Sequence, residues 1–100
     1  PLRFDLAQNY PNPFNPSTTI RFELAHPSRV ELAIYNLLGQ KVATIEDGVR
    51  NAGRYSVSWN GRGQKDLQVS SGVYFYRLRA KPMNPTLAEF VQTRKLLLLK

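Results

Sequence analysis

Apolar and polar residues alternate in short runs along most of the chain. In residues 19–24 (TIRFEL), Ile, Phe and Leu share one phase, and Arg and Glu share the other. The same two-residue period occurs at 29–34, 55–59 and 73–78, and a longer strand is predicted at 90–99. Antiparallel strands that bury one face produce this period, because successive side chains point to opposite sides of the pleat.

Turn-forming residues separate these strands, and no stretch carries a helical period. Asparagine and glycine tolerate positive φ, and proline cannot donate to a ladder, so clusters of them end strands. Six or seven short strands with turns between them indicate a sandwich or a barrel. Turns are predicted at residues 25–28, 38–40, 60–63 and 82–85, and one further connection is predicted with 47–48 at its start and 52–53 at its end.

Residues 8–16 (QNYPNPFNP) differ from the rest of the chain. They contain three prolines and three asparagines, so they form neither a helix nor a ladder-paired strand. A generic loop does not need two aromatic residues framed by prolines. We therefore predict an ordered crossing between sheets, with Tyr10 and Phe14 pinning it against the sandwich edge.

Composition limits the chain to one modest domain of 100 residues. There is no cysteine, and the longest apolar run, 96–99, is far too short to span a membrane. The first residue is Pro1 rather than Met, which indicates an excised or processed piece. The net charge is +7, of which +5 lies in residues 71–100. This basic third favours anionic partners.

The run Leu6–Ile20 (LAQNYPNPFNPSTTI) resembles the opening signature of the type A C-terminal sorting domains of the type IX (Por) secretion system. Further stretches at 30–40, 52–59, 71–78 and 90–100 resemble the same family in the same order. The resemblance implies an all-β, immunoglobulin-like antiparallel β-sandwich of about seven strands. Residues 1–16 would be the lead-in and crossing segment, and residues 17–100 the sandwich.

The resemblance also implies a function. The chain would be the C-terminal secretion and cell-surface sorting signal of a larger secreted bacterial protein, exported to the outer membrane surface or beyond it. Its partners would be the type IX translocon, a sortase-like protease, an N-terminal cargo protein and anionic lipopolysaccharide. The matching candidates for the sorting signal are Gly53, Tyr55, Gly72, Tyr74, Arg94, Lys95 and Lys100.

Two stretches depart from the family pattern. Residues 60–63 (NGRG) stand where the family often has aspartates, and residues 82–85 lengthen a hairpin that is usually tighter. The glycine-valine-tyrosine strand at 72–74 is less specific, because the immunoglobulin-like module of flagellar hook-capping proteins shares it.

The basic terminal strand has three interpretations. Charged edge strands suppress aggregation, and clustered cations bind nucleic acid. Arg94 and Lys95 are adjacent and so point to opposite faces, which argues against nucleic acid. An exposed strand can also add to a partner's sheet through backbone hydrogen bonds, and the sorting interpretation uses this mode. We expect a monomer.

No residue pattern favours catalysis, a metal or a cofactor. His26 is the only histidine and lies in a turn, where we expect it to be solvated. Glu46 and Asp47 are expected in a solvated turn. Residues 60–66 contain one carboxylate beside Arg62 and Lys65, whereas calcium prefers several carboxylate oxygens.

The aromatic residues suggest a rival function, a carbohydrate-binding or structural accessory domain of a secreted hydrolase. A flat sugar platform could use Trp59, Tyr55, Tyr74 and Tyr76. These side chains lie on the inward phase of their strands, however, so we expect core positions. Tyr35 and Phe75 fall on the opposite phase and are predicted to be exposed.

Replacing the single tryptophan tests the core assignment. Truncating a buried tryptophan costs about 3–5 kcal/mol, a large part of the roughly 5–15 kcal/mol that holds a domain folded. We expect Trp59→Ala to unfold the domain or nearly so, as measured by thermal denaturation. An unchanged melting temperature with lost sugar affinity would place Trp59 on a binding surface instead.

Overall fold

The computed structural model describes residues 1–100 and contains seven strands in two antiparallel sheets. The fold is the predicted immunoglobulin-like β-sandwich. The strands are β1 (Asp5–Leu6), β2 (Thr18–Leu24), β3 (Ser28–Tyr35), β4 (Lys41–Arg50), β5 (Gly53–Trp59), β6 (Gly72–Pro82) and β7 (Phe90–Leu98).

The three-stranded sheet has the order β1-β2-β5 and the four-stranded sheet the order β4-β3-β6-β7. β2 pairs with β5 along its whole length, from Thr18 opposite Trp59 to Leu24 opposite Gly53. In the other sheet, β6 lies between β3 and the terminal strand β7. The predicted turn at residues 25–28 therefore carries the chain from one sheet to the other.

The inward phases of the strands meet between the sheets and form one core of 16 buried residues. Trp59 is 3% exposed, as predicted, and Tyr74 and Tyr76 are buried beside it. Tyr55 is half-buried and stacks on Phe22, with ring centroids 5.2 Å apart. Burying apolar area of this kind supplies most of the favourable free energy of folding.

The connection predicted between 47–48 and 52–53 is present at residues 51–52, but its predicted start is wrong, because 47 and 48 lie inside β4. The ladder with β3 continues through them, with Asp47 opposite Glu31 and Gly48 opposite Val30. Gly48 has φ +155°, a conformation that other residues rarely adopt. Because glycine accepts this conformation, the strand continues through position 48. Local turn propensity is overridden here by pairing with a neighbouring strand.

The turn predicted at Glu46 and Asp47 is wrong for the same reason, whereas Asp47 is exposed as predicted. Asp47 forms an ion pair of 3.2 Å with Arg29 on β3, and Glu46 forms one of 3.2 Å with Arg50. Tyr35 and Phe75 lie on the outer face, as their phase predicts, but they are half-buried rather than fully exposed. They lie opposite each other on adjacent strands and shield each other.

The connections contain little regular structure. The predicted turn at 60–63 opens a loop with a single 3₁₀ turn, Gln64–Asp66, and the predicted loop at 82–85 begins at the end of β6. Gly61 has φ +73°, which suits the asparagine–glycine turn. Among the elements of this fold, no helix has the length and apolarity needed to cross a bilayer.

Residues 8–16 cross from one sheet to the other, as predicted. Tyr10 bridges to Thr19 on β2, and Phe14 bridges to Leu98 on β7. Only one of the two aromatic residues pins the crossing. Phe14 is 2% exposed, with its ring 5.6 Å from that of Trp59, whereas Tyr10 is 74% exposed, so its predicted anchoring role is wrong.

This difference gives a matched pair of variants. Phe14→Ala removes a buried ring and is expected to lower the free energy of unfolding by about 3–5 kcal/mol. Tyr10→Ala removes a solvated ring from the same segment and should change it by about 0.5 kcal/mol or less. Urea denaturation measures both, and equal losses would contradict the assignment of Phe14 as the anchor.

Candidate functional site

The terminal strand β7 is covered on the edge that faces away from β6. Residues 4–14, here called the covering segment, run alongside it from its first residue to its last. At the start of β7 the contacts come from side chains. The ring of Phe4 stacks on Phe90 with centroids 5.6 Å apart, and the Arg94 Nε donates to the Leu6 carbonyl.

At the end of β7 the contacts involve the backbone. The Phe14 N–H donates to the Leu97 carbonyl at 3.0 Å, and the Leu99 N–H donates to the Phe14 carbonyl at 3.0 Å. The Leu97 N–H donates to the Asn12 Oδ1 at 2.9 Å. At residues 95–99 the covering segment thus occupies edge positions that an added partner strand would need.

A buried polar cluster around Asn9 holds the covering segment in place. The Asn9 N–H donates to the Tyr76 hydroxyl at 2.8 Å, and that hydroxyl donates to the Ala7 carbonyl at 2.7 Å. The Asn9 Nδ2 donates to the Thr18 Oγ1 at 3.0 Å, and Thr18 donates to the Pro11 carbonyl at 2.8 Å. Because unpaired buried polar groups are costly, these bonds fix the path of the chain.

Gln8 extends this cluster to the terminal strand. Its Nε2 donates to the Asn9 Oδ1 at 2.6 Å and to the Lys95 carbonyl at 2.8 Å. Sequence reasoning missed Asn9, since an asparagine beside prolines is typical of a turn. Its burial depends on Tyr76, which lies 67 residues away in the chain, and no local pattern reveals that contact.

The two Gly-x-Tyr motifs form the same local structure. The Tyr55 hydroxyl donates to the Asn51 carbonyl at 2.6 Å, and the Tyr74 hydroxyl donates to the Ser70 carbonyl at 2.6 Å. In both cases the glycine two residues earlier begins the strand, with φ +155° at Gly53. Each tyrosine thus ties the start of its strand to the preceding loop, as tyrosine corners do in immunoglobulin-like domains.

The fold brings some of the candidate signal residues together and separates others. Gly72 and Tyr74 lie opposite Leu98 and Leu96, so this motif adjoins the end of β7. The Lys100 N–H donates to the Ser71 Oγ at 3.1 Å, at the same end. The motif with Gly53 and Tyr55 lies on β5, in the other sheet. The signal role of all seven candidates stays a prediction.

Arg94 and Lys95 point to opposite faces of β7, as predicted. Arg94 shares the phase of the buried Leu96 and is half-buried against the covering segment. Lys95 is exposed and takes part in no ion pair. Arg94 therefore contributes to packing, and Lys95 is free to meet another molecule.

Two groups of ionisable residues have shifted pKa values. The Arg3 N–H donates to Glu23 Oε2 at 2.7 Å and, with help from Arg54, lowers the pKa of that carboxyl. The Lys41 Nζ lies 2.7 Å from Glu31 Oε2, and this bond lowers the pKa of Glu31 and raises that of Lys41. These shifts arise from ordinary surface ion pairs and mark no reactive group.

Burial raises the pKa of Tyr76, and the N–H of Asn9 partly opposes that shift. The folded protein therefore favours the neutral phenol, which can both donate and accept a hydrogen bond.

The remaining residues considered for catalysis or metal binding do not form one cluster. His26 is exposed, with Phe4 as its aromatic neighbour at 6.0 Å. Asp66 is 80% exposed at its side chain and lies 3.8 Å from Arg62. No group of three or more His, Cys, Asp or Glu side chains converges on a point that could hold a metal ion.

The largest cleft, about 440 Å³, opens between β4 and β5 over the edge of Trp59. The tryptophan ring lies in the core, and its Nε1 donates to the Arg62 carbonyl at 2.9 Å. It therefore does not present a flat face on which a sugar could stack. Polar side chains line most of the cleft, among them Ser58, Asn60 and Gln64.

A family model, the FlgD Ig-like domain, matches residues 11–83. The chain belongs to this family. The match runs from the crossing segment to the end of β6 and so includes both Gly-x-Tyr motifs and the NGRG loop. No curated protein matches this FlgD Ig-like domain by sequence.

Solved structures share its fold at low sequence identity. Dimeric latent PorU from Porphyromonas gingivalis aligns with 99% of this chain at a TM-score of 0.75 and 18% identity. PorZ, described as an essential surface component of the type IX secretion system of the same organism, aligns with 97% at 0.56 and 19%. CopC from Methylosinus trichosporium OB3b aligns with 96% at 0.56 and 9%.

The share of each solved chain that the match covers differs. This FlgD Ig-like domain spans 9% of the PorU chain and 11% of the PorZ chain, but 93% of CopC. At these identities the likeness concerns the fold alone.

Removing the hydroxyl of Tyr76 tests the polar cluster. Tyr76→Phe leaves the buried Asn9 N–H and the Ala7 carbonyl without their partner, so the free energy of unfolding should fall by about 1–3 kcal/mol. The wild type should also lose stability as the pH rises above about 10, because the unfolded phenol ionises before the folded one. In the variant, urea denaturation between pH 7 and 11 should show a smaller loss. An identical pH dependence in both proteins would contradict the shifted pKa.

Proposed function

We propose that this FlgD Ig-like domain is the C-terminal secretion and cell-surface sorting signal of a larger secreted bacterial protein, and that it performs no catalysis. One observation carries the proposal. The segment that resembles the sorting-domain signature and the terminal strand, about 85 residues apart, form a single unit joined by the bonds of Asn12 and Phe14.

The family and the structural neighbours support this function. An immunoglobulin-like domain of the same shape is part of PorZ, whose description places it in the type IX secretion system. In PorU and PorZ, a stretch equivalent to this chain is a small fraction of a long protein. A sorting domain at the end of a cargo protein would likewise be a small fraction of that protein's length.

The proposed absence of catalysis is supported by the contacts of the carboxylates and of the single histidine. Six of the seven carboxylates lie within 4.0 Å of a lysine or arginine nitrogen, so they are engaged in ion pairs. The remaining one, Asp5, is exposed on β1. His26 forms no ion pair with a carboxylate, so it lacks the carboxylate that orients the histidine of many catalytic sites.

The partners we propose are the type IX translocon, a sortase-like protease, anionic lipopolysaccharide and the cargo that precedes the domain. The manner of recognition differs from simple strand addition. Since the covering segment occupies the edge of β7, the translocon would read the folded surface of the domain, unless it first displaced residues 12–14.

A fusion experiment tests the proposal. A reporter followed by residues 1–100 would be produced in a bacterium that has a type IX system, and surface exposure would be measured by protease accessibility. We expect surface delivery in the wild-type host and retention in the periplasm of a translocon-deficient strain.

The matched control is the same reporter followed by the immunoglobulin-like domain of a flagellar hook-capping protein, which shares the fold. Delivery of this control to the surface would mean that the fold alone suffices. Retention of the fusion with residues 1–100 in the wild-type host would overturn the sorting proposal. A control with residues 90–100 deleted is less informative, because it also removes β7 from the sheet.

A further inference from the structure

The outer faces of the two sheets differ in character. On the three-stranded sheet the outward side chains are polar or charged: Asp5, Thr19, Arg21, Glu23, Arg54, Ser56 and Ser58. On the four-stranded sheet the outward positions include large apolar residues. A sheet face that meets only water is polar at these positions, so the second face has a composition suited to contact.

The apolar residues of the second face form one continuous strip, which consists of Tyr35, Phe75, Val73 and Leu97. Phe75 lies opposite Tyr35 on one side, and Val73 lies opposite Leu97 on the other. A small cavity of about 220 Å³, framed by Pro13 and mostly apolar in lining, opens beside Val73 and Leu97. All four side chains of the strip are half-buried, so each retains apolar area that a partner can cover.

Three cations around the strip have no carboxylate within ion-pair distance. Arg77 lies over the Tyr35 ring, 4.8 Å from its centroid, and donates to the Tyr35 hydroxyl at 2.7 Å. Arg77, Lys81 and Lys95 form no ion pair with any carboxylate. The other cations of this face are paired within it: Arg29 with Asp47, Lys41 with Glu31 and Arg79 with Glu89.

We propose that the outer face of β3, β6 and β7 is the docking surface for a protein whose complementary surface is acidic around an apolar centre. The proposal rests on the proposed function, since the partner would belong to the export machinery. Aromatic and arginine side chains are enriched in protein interfaces, and the three unpaired cations favour an acidic complement.

A polyanion fits this face less well. Stacking of nucleic-acid bases needs exposed aromatic rings, but the Tyr35 ring is covered by Arg77. The phosphates of a lipopolysaccharide would meet cations that are separated by the Arg79–Glu89 ion pair, and they would leave the apolar strip uncovered. The unpaired cations and the apolar strip together therefore favour a protein partner over a polyanion.

Charge reversal in the reporter fusion tests whether the outer face of β3, β6 and β7 is a docking surface. The variant Lys81→Glu with Lys95→Glu changes two exposed side chains and keeps the core intact. The matched control, Arg3→Glu with Arg21→Glu, makes the same charge change at the three-stranded sheet, at two exposed residues whose side chains form no ion pair. We expect surface delivery to fall by about tenfold or more for the first pair, equivalent to about 1.4 kcal/mol of binding, and by less than about twofold for the control.

The outcomes separate the two proposals. Retention of the unchanged fusion in the periplasm would overturn the sorting function itself. Normal export of the unchanged fusion together with normal export of Lys81→Glu, Lys95→Glu would overturn the docking face alone. Equal losses in both charge-reversed pairs would show a response to net charge and would also overturn it. Circular dichroism of each purified chain confirms that the variants fold.

Crosslinking identifies the class of partner. The chain has no cysteine, so Thr93→Cys gives a single attachment site for a benzophenone probe on the outer face of β7, and Ser56→Cys gives the control site on the other sheet. During export we expect a protein adduct from position 93 that disappears with Lys81→Glu, Lys95→Glu. An adduct with lipopolysaccharide only, or the same adducts from both positions, would contradict a protein partner at this face.

Discussion

The hydrogen bonds around Asn9 are the constraint on which the rest of the structure depends. Three prolines interrupt the backbone N–H groups of residues 8–16, so this segment cannot join a sheet by a regular ladder. Here the Tyr76 hydroxyl and the Thr18 side chain supply the missing partners. With the segment fixed in this way, Phe14 reaches the core and the outer edge of β7 is covered.

Covering this edge changes how the domain can meet other molecules. A bare terminal strand would pair with any extended chain, including another copy of itself. With that edge closed, the side chains on the outer face of β6 and β7 become the distinctive surface. The recognition signal proposed above would then be made of side chains, which can be more selective than backbone hydrogen bonds that every peptide can form.

Much of the fold could be predicted from alternation alone. The phases of β2, β5 and β6 placed Ile20, Trp59 and Tyr76 inside correctly, because burial of one face imposes a two-residue period. The start of a connection at 47–48 was predicted wrongly, since pairing with β3 decides that position. The burial of Asn9 was not predicted, because it depends on contacts between distant parts of the chain. Similarly, the residues alone indicate no function, and the sorting interpretation comes from the resemblance.

The bonds between the covering segment and β7 join residues 83 to 88 positions apart. Contacts of such long sequence separation form late, because the intervening chain must first be brought together. The pocket of Phe14 is closed only when Leu98 has been synthesised and has paired. A polypeptide that stops short of this point lacks the finished surface. A partner that recognises this surface, as proposed above, would therefore meet it only after translation of these residues is complete.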